Sequence, residues 1–490
     1  MTDSRPPVTS EQVLARADEL QRKLGERFRD QLVESLYTEA QRIAGRAVRI
    51  SESSWASLDR RIDRVVTSRV LGLPIMLFML AAVFWLTIVG SNVPSAFLAG
   101  LLMEEGGLSG WLSEYLGVEQ APAILSMSLY EVLHWLFAVV HMPSWLTGLL
   151  VDGVYLGLGW VVSVMLPPMA IFFPIWTILE DLGYLPRVAF NLDFLFKRAG
   201  AHGKQALTMA MGFGCNAAGV ISCRVIDSPR ERLIAILTNN FMICNGRFPT
   251  IIMLATIFVG AAFPPALMSI AAAGTVMAVV LLGVLFTLVV SYALSRTVLR
   301  GEQSAFALEL PPYRRPAILR ILRTSLIDRT LFVLMRAMAT AAPAGAVIWI
   351  LGNIDVAGKS LALHAVDLLG PLGYVMGLDG VILLAYVIAI PANEIVVPTM
   401  IMVYLGAGRM TDVESFSQLR TLLVDQHGWT LLTAVNLMLF SLLHNPCGTT
   451  IWTIFRETGS RKWTIFGALM PVAIGVVVTS LVAAVVRLFF

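Results

Sequence analysis

The stretch NNFMICNGRFP, residues 239–249, interrupts an otherwise apolar segment at about 233–261. A regular helix facing lipid cannot hold so many amides and helix breakers, because unpaired backbone in a bilayer has no water to bond. A second stretch, HNPCG at 444–448, interrupts the apolar segment 429–452 in the same way. The sequence therefore contains two membrane segments that break at polar sites, each with a cysteine.

Each broken segment follows a shorter apolar stretch that is itself rich in breakers. Residues 206–222 contain GFGCN at 212–216, and residues 381–406 contain PANE at 391–394. The same order thus occurs twice along the chain. Repeated units with broken helices that meet near the bilayer midplane are typical of secondary transporters and channels.

The composition supports a membrane protein and excludes a water-soluble enzyme. Of 490 residues, 57% are hydrophobic and 14% are charged, whereas a soluble domain has about 25% charged residues. The net charge of +3 gives no indication of nucleic-acid binding. Four cysteines in apolar surroundings argue against a disulfide framework. The N-terminus lacks the pattern of a cleavable signal peptide.

Spanning helices need roughly 20 apolar residues. The candidates lie at about 70–92, 151–182, 233–261, 265–299, 329–352, 429–452 and 463–486. Together with the interrupted stretches, they predict an all-α polytopic membrane protein with about 7–9 membrane segments.

The placement of Lys and Arg predicts the orientation, because cytoplasmic loops carry the excess. Residues 93–150 hold no Lys or Arg, which predicts an extracytoplasmic insert, whereas the loops at 183–204, 224–232 and 456–462 are basic. Each interrupted stretch then returns to the side on which it starts, and the two units have opposite topology. This topology requires that three prolines do not fold 151–182 into a hairpin: Pro167, Pro168 and Pro174.

These features predict five regions. They are a cytoplasmic helical segment and linker at 1–69, first spanning helices with the extracytoplasmic insert at 70–182, a first repeat at 183–300, a cytoplasmic connector at 301–328, and a second repeat with a C-terminal helix at 329–490.

The polar residues at the breaks indicate a binding site for a divalent transition metal. Thiolate, imidazole and carboxylate ligands together suit such a metal better than Mg²⁺ or Ca²⁺, which prefer oxygen alone. The alternative for each cysteine is a small buried hydrophobe, and the alternative for Glu394 is a lock that pairs with Arg247. The predicted metal ligands are Cys215, Cys244, Cys447, His444 and Glu394.

Further polar residues are predicted to line a transport path, namely Asn216, Asn239, Asn240, Asn393, Asn445, Glu180 and Asp181. On the extracytoplasmic insert, Glu131, His134 and His141 share a helix face, for which a solvated surface is favoured over metal capture. The phosphate-binding pattern is incomplete at 352–360, where GNIDVAGKS has one residue too many between its glycines. The sequence thus predicts a transporter without nucleotide-binding or enzymatic chemistry, and no permanently bound cofactor.

At these residues the chain resembles the membrane domain of the bacterial ferrous iron transport protein B family. The similar stretches are 58–74, 151–154, 179–187, GFGCN at 212–216, 244–249, LPPYR at 310–314, ANE at 392–394, PC at 446–447 and RETG at 456–459. The resemblance implies two Gate repeats and a path for Fe²⁺ lined by Cys215, Cys244 and Cys447.

Two positions depart from that family. The chain has Asn393 where the family usually has Lys, and His444 and Asn445 where an aromatic or apolar residue is usual. These departures leave the choice of metal open. A nucleoside-like solute remains an alternative cargo, because Gate-type repeats also occur in carriers of nucleosides, and a membrane-embedded metal sensor remains a second alternative.

The resemblance also implies partners and a location. The family normally begins with a GTP-binding domain, for which residues 1–69 are too short, so we expect a separate GTPase subunit at that segment. The expected location is the cytoplasmic (inner) membrane of a bacterium, with the N-terminus in the cytoplasm. The bilayer is the other expected partner, a homo-oligomer is left open, and no nucleic acid is expected.

Overall fold

A computed structural model describes residues 16, 19, 28–47, 61–68, 70–116, 126–301, 313–314, 316–411 and 416–489. The described chain is almost entirely helical, with one short two-stranded hairpin. The all-α polytopic architecture expected from the sequence is confirmed. Six helices, or seven if one bent pair counts as a single span, are long and apolar enough to cross a membrane within this described part.

The first half of the chain runs from the N-terminal segment to the end of the first unit. Its helices are α1 (Phe28–Ala47), α2 (Gly72–Leu102), α3 (Ser109–Leu116), α4 (Leu129–Val139), α5 (Ser144–Asp181, with a π-helical stretch at Gly148–Tyr155), α6 (Tyr184–Arg198), α7 (Gln205–Gly214), α8 (Asn216–Ser222), α9 (Pro229–Thr238), α10 (Phe248–Ala262) and α11 (Pro265–Arg296).

The second half repeats the broken pattern. It comprises α12 (Ile318–Asn353), β1 (Asp355–Val356), β2 (Lys359–Ser360), α13 (Leu361–Met376), α14 (Gly380–Ile388), a 3₁₀ turn (Asn393–Ile395), α15 (Val396–Leu405), α16 (Phe416–Arg420) with a π-helical extension (Thr421–Gln426), α17 (Leu431–Leu443), α18 (Gly448–Thr458) and α19 (Arg461–Phe489).

The three prolines of α5 do not fold it into a hairpin. Pro167, Pro168 and Pro174 all lie inside one helix that continues to Asp181. A span can hold prolines in this way because neighbouring helices and side chains satisfy the freed backbone groups. The absence of a hairpin at 151–182, which the predicted topology requires, is therefore confirmed.

Several predicted boundaries need correction. The first span was expected to end at 92, but α2 continues through Pro94 to Leu102 and takes up the start of the predicted 93–150 insert. The interrupted stretch predicted at 381–406 continues a bent pair of helices, in which α13 lies at 109° to α14. The span expected at 233–261 is divided between α9 and α10. Hydropathy identified the apolar segments but not where each helix bends.

Close contact between α5 and α12 explains their glycines. A Cβ atom on Gly345 would overlap the carbonyl oxygen of Gly153, and Gly157 lies against the same part of α12. Small residues permit such close approach where no hydrophobic effect drives helices together inside lipid. These two helices form the scaffold beside both broken units.

A buried ion pair attaches the segment before the first span to the helical core. The Arg187 side chain is 1% exposed, and its Nε donates to Asp63 Oδ1 at 2.9 Å. Its Nη1 donates to the carbonyl oxygen of Gly183, and its guanidinium stacks over the Tyr313 ring of the connector. Three separate segments of the chain therefore meet at Arg187.

We expect Asp63→Ala to lower the stability of the detergent-solubilised protein by about 2 kcal/mol, because it deprives a buried guanidinium of its carboxylate partner. The matched control is Asp227→Ala, which removes the exposed partner of Lys204. Exposed pairs contribute little, so the control should keep the wild-type thermal midpoint. Equal midpoints for the two variants would contradict this role for Arg187.

Candidate functional site

The first unit breaks its helices at two points that contact each other. Between α7 and α8, Cys215 adopts an extended backbone with φ −153° and ψ 124°. Between α9 and α10, the chain leaves helical geometry at 242–247. The backbone N–H of Asn245 donates to the carbonyl oxygen of Gly214 at 3.3 Å. One break thus satisfies a backbone group that the other break leaves without a helical partner.

The second unit repeats this arrangement. Ala392 has φ −150° and ψ 117°, nearly the backbone angles of Cys215, and Asn393 follows it as Asn216 follows Cys215. The amide of Gly448 donates to the carbonyl oxygen of Ile390 at 2.7 Å. The internal repeat expected from the sequence is thus visible in the backbone geometry of the breaks.

Arg247 joins the two units. It is 1% exposed, and Nη1 donates to the carbonyl oxygens of Asn240 at 3.0 Å and Leu442 at 3.1 Å. Nη2 donates to the Asn240 side-chain oxygen and the Asn445 carbonyl, both at 3.1 Å, and to the His444 carbonyl at 3.4 Å. The carbonyls at the end of α17 have no donor within the helix. The guanidinium of Arg247, which belongs to the other unit, donates hydrogen bonds to them.

Asn239 and Asn240 extend this polar network. Nδ2 of Asn240 donates to the His444 carbonyl at 2.7 Å, which crosses between the units. Nδ2 of Asn239 donates to the Asn216 carbonyl at 3.0 Å within the first unit. Asn239 fits because Gly212 and Gly219 lack side chains, and a Cβ on either would meet its amide.

The imidazole of His444 faces an acceptor at each ring nitrogen. Its Nδ1 lies 3.0 Å from the carbonyl oxygen of Ser441, and its Nε2 lies 3.1 Å from the side-chain oxygen Oδ1 of Asn393. A neutral imidazole carries one proton and donates to only one of these oxygens. When Nδ1 donates to Ser441, the lone pair of Nε2 points towards Asn393, and an ion bound by Nε2 would take the place of that contact.

Three of the four cysteines approach this network. Cys215 and Cys244 are buried, Cys447 is half-buried, and the three thiols are near enough to interact electrostatically. Glu394 lies beside them, where a Cβ on Gly246 would overlap its carboxylate. Within the described residues, no three His, Cys, Asp or Glu side chains form a ready metal cage. The predicted ligands are therefore near one another but are not assembled into one site.

The space between the breaks is closed. It is too narrow to hold a water molecule and is lined by both units, through Gly246, Arg247, Thr250, Tyr386, Asn393, Val396, Ser441 and His444. Thr250, Tyr386 and Ser441 were not predicted. Only Ser441 had a sequence signal, since it precedes His444 by three residues, the spacing of helical neighbours.

Two predicted path residues have their contacts elsewhere. Glu180 lies 3.7 Å from the Arg329 guanidinium, and Asp181 accepts from the backbone amide of Ala317. Both contacts are to the start of α12, not to the cysteines. The suggested pairing of Glu394 with Arg247 is wrong, since the described partners of that guanidinium are carbonyls and an amide oxygen.

The polar side chains on α4 do not converge on one site. Glu131 completes a capping box with Ser128, and His134 Nε2 lies 2.9 Å from Asp152. His141 follows the helix at a residue with φ 55° and contacts the Val139 carbonyl. The metal-capture reading of this helix therefore has no support from the contacts.

Comparison with known proteins connects this geometry to two families. Residues 162–258 and 334–461 match the Gate family, described as nucleoside recognition, and residues 276–328 match the C terminus of ferrous iron transport protein B. The first Gate segment contains Cys215 and Cys244, and the second contains Asn393 and Cys447.

Curated relatives cover most of this chain. It is 28% identical to the Fe(2+) transporter FeoB of Staphylococcus aureus, over 88% of this chain and 59% of that protein. It is 27% identical to a fusion of Fe(2+) transport protein A with FeoB from Porphyromonas gingivalis, over 90% of this chain and 53% of that protein. FeoB of Salmonella typhimurium is 33% identical over 53% of this chain and 29% of that protein.

The chain thus spans little more than half the length of the first two of these relatives. No solved structure matches it.

We expect Gly219→Ala to destabilise the protein by about 2 kcal/mol, because the new methyl group would push Asn239 out of its bond to the Asn216 carbonyl. The matched control is Gly274→Ala in α11, where an added Cβ meets nothing within 4 Å. A mid-helix glycine costs about 0.5–1 kcal/mol relative to alanine, so the control should be more stable than wild type. Thermal unfolding in detergent measures both, and a stabilising Gly219→Ala would contradict the packing described.

Proposed function

The chain is a FeoB-like membrane protein with a Gate domain, and we propose that it moves a divalent transition metal, Fe²⁺ foremost, along the breaks of its two Gate units. The observation that carries this proposal is the position of the three thiols. Cys215, Cys244 and Cys447 occur at three of the breaks, near enough for a charge on one thiol to act on the others, and Glu394 is within the same range of Cys244. Soft sulfur ligands with a borderline nitrogen ligand favour such metals over Mg²⁺ or Ca²⁺.

The spacing of the ligands suits transport better than storage. A metal held by four tight ligands would not leave, and conduction requires several weak sites in sequence. In this proposal the thiols supply soft ligands, His444 Nε2 and the Asn amides supply intermediate ones, and Glu394 offsets the charge of the ion. A thiol must lose its proton to bind the metal ion, so binding of the ion by these cysteines releases protons.

A nucleoside-like cargo is the second candidate, because the Gate family is described as nucleoside recognition. Six asparagines near the breaks offer the donors and acceptors that a base or a ribose needs. The space between the units is too narrow for a water molecule in this state, so a nucleoside would need a much wider opening than an ion would. Competition between Fe²⁺ and a nucleoside for uptake separates these cargoes.

We also propose that a separate GTPase subunit docks on residues 1–69, and that this segment lies in the cytoplasm of a bacterium. Helix α1 supports the proposal because Leu36 and Ile43 are 61% and 57% exposed on one of its faces. An exposed apolar helix face is a common docking surface for a partner protein. The greater length of the relatives leaves room for a further domain on their chains.

We expect Cys215→Ser to lower the initial rate of ⁵⁵Fe²⁺ uptake into proteoliposomes by about tenfold or more, the scale on which metal sites respond to a lost or poorly supported ligand. The matched control is Cys223→Ser. Cys223 is buried away from the thiol cluster, and its Sγ donates to the Gly219 carbonyl at 3.3 Å, a bond that a serine hydroxyl can keep.

The control should retain wild-type uptake. The assay is run with and without a candidate GTPase and GTP, since a GTP-dependent path is closed on its own. Uptake that survives Cys215→Ser in both conditions would overturn the thiol-lined path.

A further inference from the structure

Arg247 places a positive charge inside the proposed cation path. Its guanidinium is fully buried, and its bonds within the described chain go to neutral oxygens of both Gate units. A charge buried at membrane depth is expensive and marks a functional site by default. A fixed cation at this point also opposes the passage of a second cation by direct repulsion.

The oxygens around Arg247 form a set that suits a metal ion as well as a guanidinium. Four are backbone carbonyls, and three of those lie at the end of α17 or in the two residues after it, where carbonyls have no partner within the helix. Unwound carbonyls and helix C-terminal ends coordinate cations in transporters with broken helices. The guanidinium therefore occupies an oxygen cage at the junction of the two units.

A carboxylate that could pair with the guanidinium lies next to Gly246, the residue before Arg247. Glu394 sits against the backbone of Gly246, and its carboxylate interacts electrostatically with Arg247 but forms no ion pair with it within 4.0 Å among the described contacts. The guanidinium Nε lacks a partner in the structure. Arg247 thus has an unused donor and a nearby counter-charge while its other nitrogens hold the units together.

We propose that Arg247 is a tethered cation that seals the path: it occupies the oxygen cage in the closed state and leaves it, towards Glu394, when the path opens. This inference rests on the proposed function, for which it names the closing element. Departure of the guanidinium breaks its bonds to Leu442, His444 and Asn445 at once. The same movement therefore separates the units, exposes the thiols and frees oxygens for the transported ion.

A purely structural role predicts a different outcome. If Arg247 only caps α17, its removal should destabilise the protein without opening the space between the breaks. The inter-unit ion pair of Arg224 and Glu457 provides the comparison, because it also links the units, through the turn after α8 and through α18, but lies outside the oxygen cage. Loss of that pair loosens the contact between units without removing the seal.

The test measures how fast a small cationic thiol reagent, 2-aminoethyl methanethiosulfonate, modifies Cys244 in the full-length protein in liposomes, with the site identified by mass spectrometry. Arg247→Gln should accelerate modification by about tenfold or more, because the rate follows the population of the open state. Arg224→Gln should stay within about twofold of wild type by the same relation. Free guanidinium ion should slow the reaction again in Arg247→Ala, by refilling the cage.

Wild-type modification rates in folded Arg247→Gln would overturn the proposal. If Arg247→Gln and Arg247→Lys both lose a cooperative thermal transition, Arg247 is a structural cap and the proposal also fails. The readout does not depend on the cargo. Faster modification of Arg247→Gln without any Fe²⁺ uptake would support Arg247 as the closing element and contradict Fe²⁺ as the cargo. Cys215-dependent uptake with an unchanged modification rate would support Fe²⁺ as the cargo and contradict Arg247 as the closing element.

Discussion

Every helix break inside a bilayer must satisfy its own backbone groups without water, and this constraint organises the molecule. The breaks satisfy one another: Asn245 bonds to Gly214 in the first unit, and Gly448 bonds to Ile390 in the second. The guanidinium of Arg247 then donates hydrogen bonds to the carbonyls at the end of α17. Each unit therefore satisfies part of its own breaks, and the bonds of Arg247 and Asn240 complete the site between the two units.

The sequence predicted the breaks but not their connections. Runs of Asn, Gly, Pro and Cys among apolar residues identify where a helix stops, so the regions around Cys215, Cys244, Asn393 and Cys447 could be found in advance. The partners of Arg247 in the second unit could not, because they are backbone carbonyls nearly 200 positions away along the chain. The bend between α13 and α14 was not predicted for a related reason. Hydropathy shows which segments are apolar but not the angle between consecutive helices.

The site shows why individual polar residues were hard to assign from type alone. Glu180 and Asp181 are acidic and near a span, but their contacts fix the start of α12. His444 was predicted as a ligand, and its two ring nitrogens face the oxygens of Ser441 and Asn393, one in each direction. These residues differ in which groups their side chains contact, and those contacts are seen only in the folded chain.

The central claim is that thiols at the breaks bind the transported ion. X-ray absorption at the iron edge of the Fe²⁺-loaded protein tests this most directly, because sulfur and lighter atoms scatter differently. The account predicts sulfur in the iron coordination shell of the wild-type protein, and less sulfur after Cys215→Ser but not after Cys223→Ser. A shell of oxygen and nitrogen alone in the wild-type protein would contradict it.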